Sequence, residues 1–208
     1  MAVRKPTPKD RAEYGLARML EGALAALPEP IAERAGLGLG SLIRSPLAIR
    51  RETVDQNLRR AFPDASDEWI ARTTRATFRH LGREAVAMLR LSRLDPTAII
   101  ERTVVEGLDD VSAAMEEGKG AMFVTGHFGN WEIGAAAAAA RGIPIDAVVK
   151  RQRNRLVDAR LDAARKRLGV GTINMKKAPL QVPRMLRAGR AVGIVFDQDA
   201  GKAGISVP

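Results

Sequence analysis

The stretch Ala121-Met122-Phe123-Val124-Thr125-Gly126-His127-Phe128-Gly129-Asn130-Trp131-Glu132-Ile133 decides the fold. Ala121–Thr125 is a short apolar run that reads as a buried strand. Ile133–Arg141 reads as an alanine-rich helix stopped by Gly142. Gly126 and Gly129 permit a tight turn between them, because glycine tolerates backbone angles and close approaches that other residues do not. The alternation continues downstream. Ile145–Val149 predicts a strand, Leu156–Leu168 a helix stopped at Gly169–Gly171, and Thr172–Asn174 a brief strand. Pro179–Ala188 predicts a helix closed by Gly189, and Ala191–Phe196 an apolar strand. Short strands alternating with helices predict an α/β layer with a mostly parallel sheet flanked by helices. Just upstream, Thr103–Glu106 is a β-branched run ended by Gly107, and Leu108–Glu117 has a helical pattern.

The first hundred residues read differently. Leu16, Leu20, Leu24 and Leu27 form a stripe at helical spacing, as do Ile31, Ala35, Leu39 and Leu42. Such stripes serve equally as core packing or as a helix lying in a membrane interface with arginines at the headgroups. Pro46 and Pro63 bracket a helical segment with Val54, Leu58 and Ala61 on one face. Ser66, followed by Asp67 and Glu68, is an N-cap for a long helix reaching about Leu91. Its predicted buried side carries Ile70, Phe78, Leu81, Ala85 and Met88, and His80 lies off that stripe as a surface residue. The chain therefore divides into a helical, membrane-interface region over 1–100 and an α/β region over 101–208.

Composition narrows the chemistry. The chain has 208 residues, 46% hydrophobic and 28% charged, which is a globular balance. It has no cysteine, which excludes a disulfide scaffold, a cysteine nucleophile and thiolate metal sites. Two histidines, His80 and His127, are too few for a multi-histidine metal centre. No metal or cofactor is expected. A formal charge of +10 implies an anionic partner: phosphate, nucleic acid, an acidic protein or an anionic membrane surface. The densest cationic stretch is Lys150–Arg167, most of which reads as a solvated helix face. Aromatic residues are only 4% and are not interleaved with the basic ones, so nucleic-acid recognition through stacking is not expected. Arg18 and Glu21 break the apolar stretch that a cleaved signal requires. No run approaches the roughly 20 apolar residues that span a bilayer. Gly36-Leu37-Gly38-Leu39-Gly40 lacks the spacing of a dinucleotide fingerprint, and Gly118-Lys119 lacks that of a P-loop.

The residues carrying chemistry sit where the strand Ala121–Thr125 meets its helix, at the carboxyl end where open α/β sheets place ligands. His127 and Glu132 are five positions apart. With His127 in the turn and Glu132 in the helix's first turn, the carboxylate is expected to reach back to the ring. A carboxylate on one ring nitrogen fixes the tautomer, and the other nitrogen then takes a proton from a hydroxyl. No Gly-x-Ser-x-Gly elbow is present, so the attacking hydroxyl belongs to the substrate. Amides at the helix start are placed to hold an oxyanion. A histidine that merely caps the helix, with Glu132 favourable near its positive end, accounts for the same spacing.

Gly126-His127-Phe128-Gly129-Asn130-Trp131-Glu132 resembles the histidine–four residues–acid block of the glycerolipid acyltransferase superfamily. It is most similar to that of the bacterial lipid A biosynthesis acyltransferases, the lauroyl and myristoyl transferase family. The resemblance extends along the chain. Arg51–Pro63 is similar to the family's Asn-Leu…Phe-Pro segment, and Phe78–Glu84 to its following helix. Phe196-Asp197-Gln198-Asp199, then Gly201 and Val207-Pro208, resemble its Asp-Gln-Asp block.

The resemblance implies an O-acyltransferase. It would move a fatty acyl chain from a thioester, on acyl carrier protein or less favourably coenzyme A, to a hydroxyl of a lipid A precursor or related membrane glycolipid. It also implies a peripheral or monotopic place on the cytoplasmic face of the inner membrane. His127 would be the general base and Glu132 its orienting partner, with Arg165 and Asp197 positioning substrate. Where the family has Tyr-Arg-Pro, this chain has Val149-Lys150-Arg151, so Lys150 or Arg151 would take over the arginine's substrate contact. Family members continue beyond the position of Pro208 into further strands and helices, which implies a C-terminally truncated member. Two other readings remain: a catalytically inactive truncated form that associates with membrane, and a basic nucleic-acid-binding module.

Overall fold

The computed structural model describes residues 5–198. The chain forms two compact units, one made of Leu16–Arg93 and the other of Met1–Gly15 with Leu94–Pro208.

The helical unit contains most of α1 (Pro8–Ala26), then α2 (Glu29–Arg44), α3 (Arg51–Ala61) and α4 (Asp67–Leu89), followed by a 3-10 turn over Arg90–Arg93. Ser66 caps α4 as its sequence predicts, its hydroxyl accepting the Trp69 N–H at 3.2 Å. The packing of α2 on α4 departs from the apolar pattern. On α2 the buried residues are Ala32, Gly36 and Gly40, while Ile31, Ala35, Leu39 and Leu42 are exposed. On α4 the buried line is Ile70, Thr74, Phe78, Gly82 and Val86, while Leu81 and Ala85 are exposed and Met88 is half-buried. The reason is glycine. A Cβ at Gly40 would collide with the Phe78 carbonyl, and one at Gly82 with the Gly36 carbonyl. The two backbones meet where side chains are smallest, and the larger apolar groups are turned outward. Thr74, fully buried, donates its hydroxyl to Asp55 on α3.

The α/β unit adds α5 (Pro96–Arg102), α6 (Leu108–Glu116), β1 (Met122–Thr125), α7 (Trp131–Ala140) and β2 (Ile145–Val149). It continues through α8 (Arg155–Arg167), β3 (Gly171–Asn174), α9 (Ala178–Arg187) and β4 (Ala191–Val195). The four strands form one parallel sheet in the order β1-β4-β2-β3. The connections through α7 and α8 step the same way across the sheet, and the one through α9 steps back. Right-handed crossovers therefore put α7 and α8 on one face and α9 on the other. Ile145, Ile173, Ala191 and Val192 fill the core beside Ala136, Ala137, Ala164 and Leu168.

One strand of this unit differs from its sequence expectation. Among the described residues β1 pairs only with β4, and Met122 and Val124 are exposed where a buried strand was expected. The β-branched run Thr103–Glu106 lies outside the helices and strands. Its first residue is held by Arg141, whose guanidinium donates to the Thr103 hydroxyl and carbonyl and to the Ile100 carbonyl. The α/β unit also takes in the start of α1. The Asn154 amide donates to the Asp10 carbonyl at 2.8 Å and to the Glu13 carboxylate at 3.0 Å, while its oxygen caps α8.

Candidate active site

Sheet register assembles the site. Thr125 and Val195 are the last paired residues of β1 and β4, and the Phe196 N–H continues the ladder to the Thr125 carbonyl at 2.8 Å. His127 and Asp197 each lie two residues beyond those ends, at the carboxyl edge of neighbouring strands. The Asp197 carboxylate grips His127 twice: Oδ1 lies 2.6 Å from the ring Nδ1, and Oδ2 accepts the backbone N–H at 2.7 Å. Those hydrogen bonds, the ring's first and the amide's second, hold the Asp197 carboxyl below its ordinary value. An ionised carboxylate only accepts, so Nδ1–H donates to it, and in the neutral ring Nε2 keeps the lone pair.

The local sequence serves this geometry. A Cβ at Gly126 would press on the Phe128 ring and on Asp197 Oδ2, so the close carboxylate approach requires glycine there. Gly129 has φ +55° and turns the chain into α7. Asn130 caps that helix by accepting the Ile133 N–H at 3.2 Å. Trp131, the first helical residue, meets the imidazole edge to face with centroids 4.7 Å apart, which fixes the ring plane. The Gln198 amide nitrogen lies 3.4 Å from Nε2. The imidazole and carboxylate are about a third exposed, so the pair is open to a ligand.

Glu132 does not reach back to His127, and that expectation is corrected. It is the second residue of α7 and faces α8, where Arg165 grips it in a two-pronged ion pair. Nε to Oε2 is 2.8 Å and Nη2 to Oε1 is 2.5 Å. Both side chains are nearly buried, with exposures of 7% and 13%. Burial pulls the Arg165 guanidinium down, but the hydrogen bond and charge of Glu132 outweigh it and hold the group above its ordinary value. Arg165 is thus committed to Glu132 and joins α8 to α7. Of the other expected substrate contacts, Lys150 follows β2 at the same sheet edge and is exposed. Arg151 is held by Asp158 at 2.8 Å, whose other oxygen takes the Gln152 N–H, pinning the loop that enters α8. Asp199 lies outside the described residues.

Sequence reasoning missed Trp131 and Gln198 as neighbours of the imidazole. Both belong to the quoted blocks, but only the pairing of β1 with β4 brings those blocks together. Among the described residues, no group of three or more histidine, aspartate or glutamate side chains is gathered to hold a metal. Nor is any described helix long and apolar enough to cross a membrane.

Residues 14–208 match the family model described as bacterial lipid A biosynthesis acyltransferase. The chain is 28% identical over 186 residues to the lipid A biosynthesis palmitoleoyltransferase of Escherichia coli (strain K12), covering 86% of the chain. It is equally similar to the lipid A biosynthesis acyltransferase of Shigella flexneri. In both cases it spans 58% of the relative's length. With nearly the whole chain matched, the protein belongs to the bacterial lipid A biosynthesis acyltransferase family.

Proposed function

We propose that this protein is an O-acyltransferase. It moves a fatty acyl chain from a thioester, carried on acyl carrier protein, to a hydroxyl of a lipid A precursor or related membrane glycolipid. The observation that carries this reading is the partly exposed imidazole at the sheet's carboxyl edge, gripped at Nδ1 by a carboxylate, with only the long 3.4 Å approach of the Gln198 amide at Nε2 among the described residues.

The acceptor hydroxyl donates its proton to His127 Nε2 as its oxygen attacks the thioester carbonyl. Asp197 keeps the proton on Nδ1 and stabilises the imidazolium that forms. The carbonyl oxygen gains negative charge, and amides at the start of α7 are assigned to receive it. Collapse breaks the carbon–sulfur bond, and the imidazolium returns its proton to the departing thiolate. Ester and thiol are the products and the base is regenerated. A thioester is already activated, so alignment and proton transfer carry the reaction. Lys150, exposed at the same edge, is assigned to the acceptor's anionic groups. Peripheral or monotopic seating on the cytoplasmic face of the inner membrane is supported by the exposed Ile31, Leu39 and Leu42 of α2.

The test is to incubate the purified chain with labelled acyl-carrier protein and a total lipid extract, then identify the labelled lipid. The expected result is one labelled glycolipid class, lost in His127→Ala with the circular dichroism spectrum unchanged. Undiminished transfer by His127→Ala refutes the assignment.

A further inference from the structure

The pair formed by α2 and α4 has two unlike sides. On α4, Arg72, Arg75, Arg79 and Arg83 recur at spacings of three and four, which aligns them along one side of the helix. Together with Leu37, Ala76 and His80 they line an open groove of about 390 Å³. On α2, Leu37 lies on the groove side, whereas Ile31 and Leu42 are roughly 120–140° away around the helix. Leu81 follows Arg72 by nine residues, about two and a half turns, and so stands opposite the arginines on α4. Arginines occupy one side of the pair and exposed apolar side chains the other.

The arginine row is under-compensated. The nearby carboxylates Glu33 and Glu84 both lie against Arg83, at 3.7 and 3.2 Å. Among the described residues, Arg72, Arg75 and Arg79 have no carboxylate partner, and all three are exposed. A second groove along α8, lined by Arg151, Arg155 and Lys166, contains its own Asp158 and Asp162 and is largely neutralised from within. From Arg72 to Arg83 the row spans eleven residues of straight helix, roughly 16 Å.

We infer that this groove docks an acidic helix of the carrier protein that delivers the acyl thioester. Three turns of arginine with an apolar floor at Leu37 and Ala76 complement an amphipathic acidic rod of equal length. A lipid surface fits less well, because the apolar side chains that a bilayer would take in face the other way. The inference rests on the acyltransferase reading for the identity of the partner, and its test reads binding without requiring transfer.

Fluorescence anisotropy of a labelled acyl carrier protein is measured against the wild-type chain and against Arg72→Glu/Arg75→Glu/Arg79→Glu. The expected result is a Kd raised at least about tenfold by the triple variant and about threefold by Arg75→Glu alone. Arg155→Glu on α8 is expected to leave it within about twofold. The Michaelis constant for the carrier-bound donor should rise in parallel, with turnover of an acyl-pantetheine donor unchanged. Unchanged carrier binding in both the single and triple variants overturns the inference. So does a selective loss of binding to phosphatidylethanolamine–phosphatidylglycerol vesicles with carrier binding intact. No transfer from either donor by the wild-type chain defeats the acyltransferase reading and leaves the binding result to be judged by itself.

Discussion

Asp197→Asn is expected to slow acyl transfer by about 10³-fold while the thermal unfolding midpoint stays within about two degrees. An asparagine amide turned toward the ring presents N–H to Nδ1, so the imidazole must carry its proton on Nε2. That nitrogen then has nothing with which to accept the substrate's proton. The asparagine oxygen still accepts the His127 backbone N–H, so the turn between β1 and α7 keeps its hydrogen bond. Both side chains are partly exposed, and an exposed pair contributes little to stability. The pH behaviour follows from the lowered carboxyl. Its contribution is present above the ordinary carboxylate value and fades only as pH falls through the depressed one. Between about pH 5 and 9 Asp197 therefore does not titrate and adds no limb to the rate profile. Single-turnover rates across that range, for wild type and variant, check both statements.

Glu132→Ala is expected to act the other way, through stability. It removes the carboxylate that compensates a nearly buried guanidinium, and Arg165 is left charged in the space between α7 and α8. Breaking one half of a buried ion pair costs about 3–5 kcal/mol, because the remaining charge has lost both its partner and its water. Denaturant unfolding should show a loss of that size. Transfer activity per folded molecule should remain, since Glu132 does not touch the imidazole. Replacing both partners with apolar residues of similar size, Glu132→Leu with Arg165→Met, should recover much of the stability. The contrast between the two acids is the diagnostic: Asp197 governs rate, Glu132 governs folding. A Glu132→Ala protein of wild-type stability with no activity would reverse the assignment.

The sequence carried the strand–turn–helix at Ala121–Ile133 and the later alternation because those signals are local. Strand order is not local. β4 inserts between β1 and β2, and this brings Asp197 beside His127 across 70 positions of chain. Spacing alone leaves Glu132 either as the ring's partner or as an acid at the helix start, and the family resemblance implies the first; neither points to Asp197 as the residue on Nδ1. The same limit hid the place of β1 at the end of the strand order among the described residues, where Met122 and Val124, core-like in sequence, are exposed. In the helical unit, apolar periodicity on α2 marks the leucine side equally as core or as membrane face, while the close contact with α4 forms at Gly36 and Gly40. A stripe of small residues permits backbone approach, and nothing in periodicity says that it outranks a stripe of large ones. Thr103–Glu106 is β-branched, and its first carbonyl, that of Thr103, is taken by Arg141, a partner 38 positions away.

Nitrogen-15 NMR of the His127 ring reads the central claim most directly. In the wild-type chain at neutral pH the ring should be the Nδ1–H tautomer with Nε2 unprotonated. It should switch to the Nε2–H tautomer in Asp197→Asn and stay unchanged in Glu132→Gln. A wild-type ring already protonated on Nε2, or one that responds to Glu132→Gln and not to Asp197→Asn, would contradict the account.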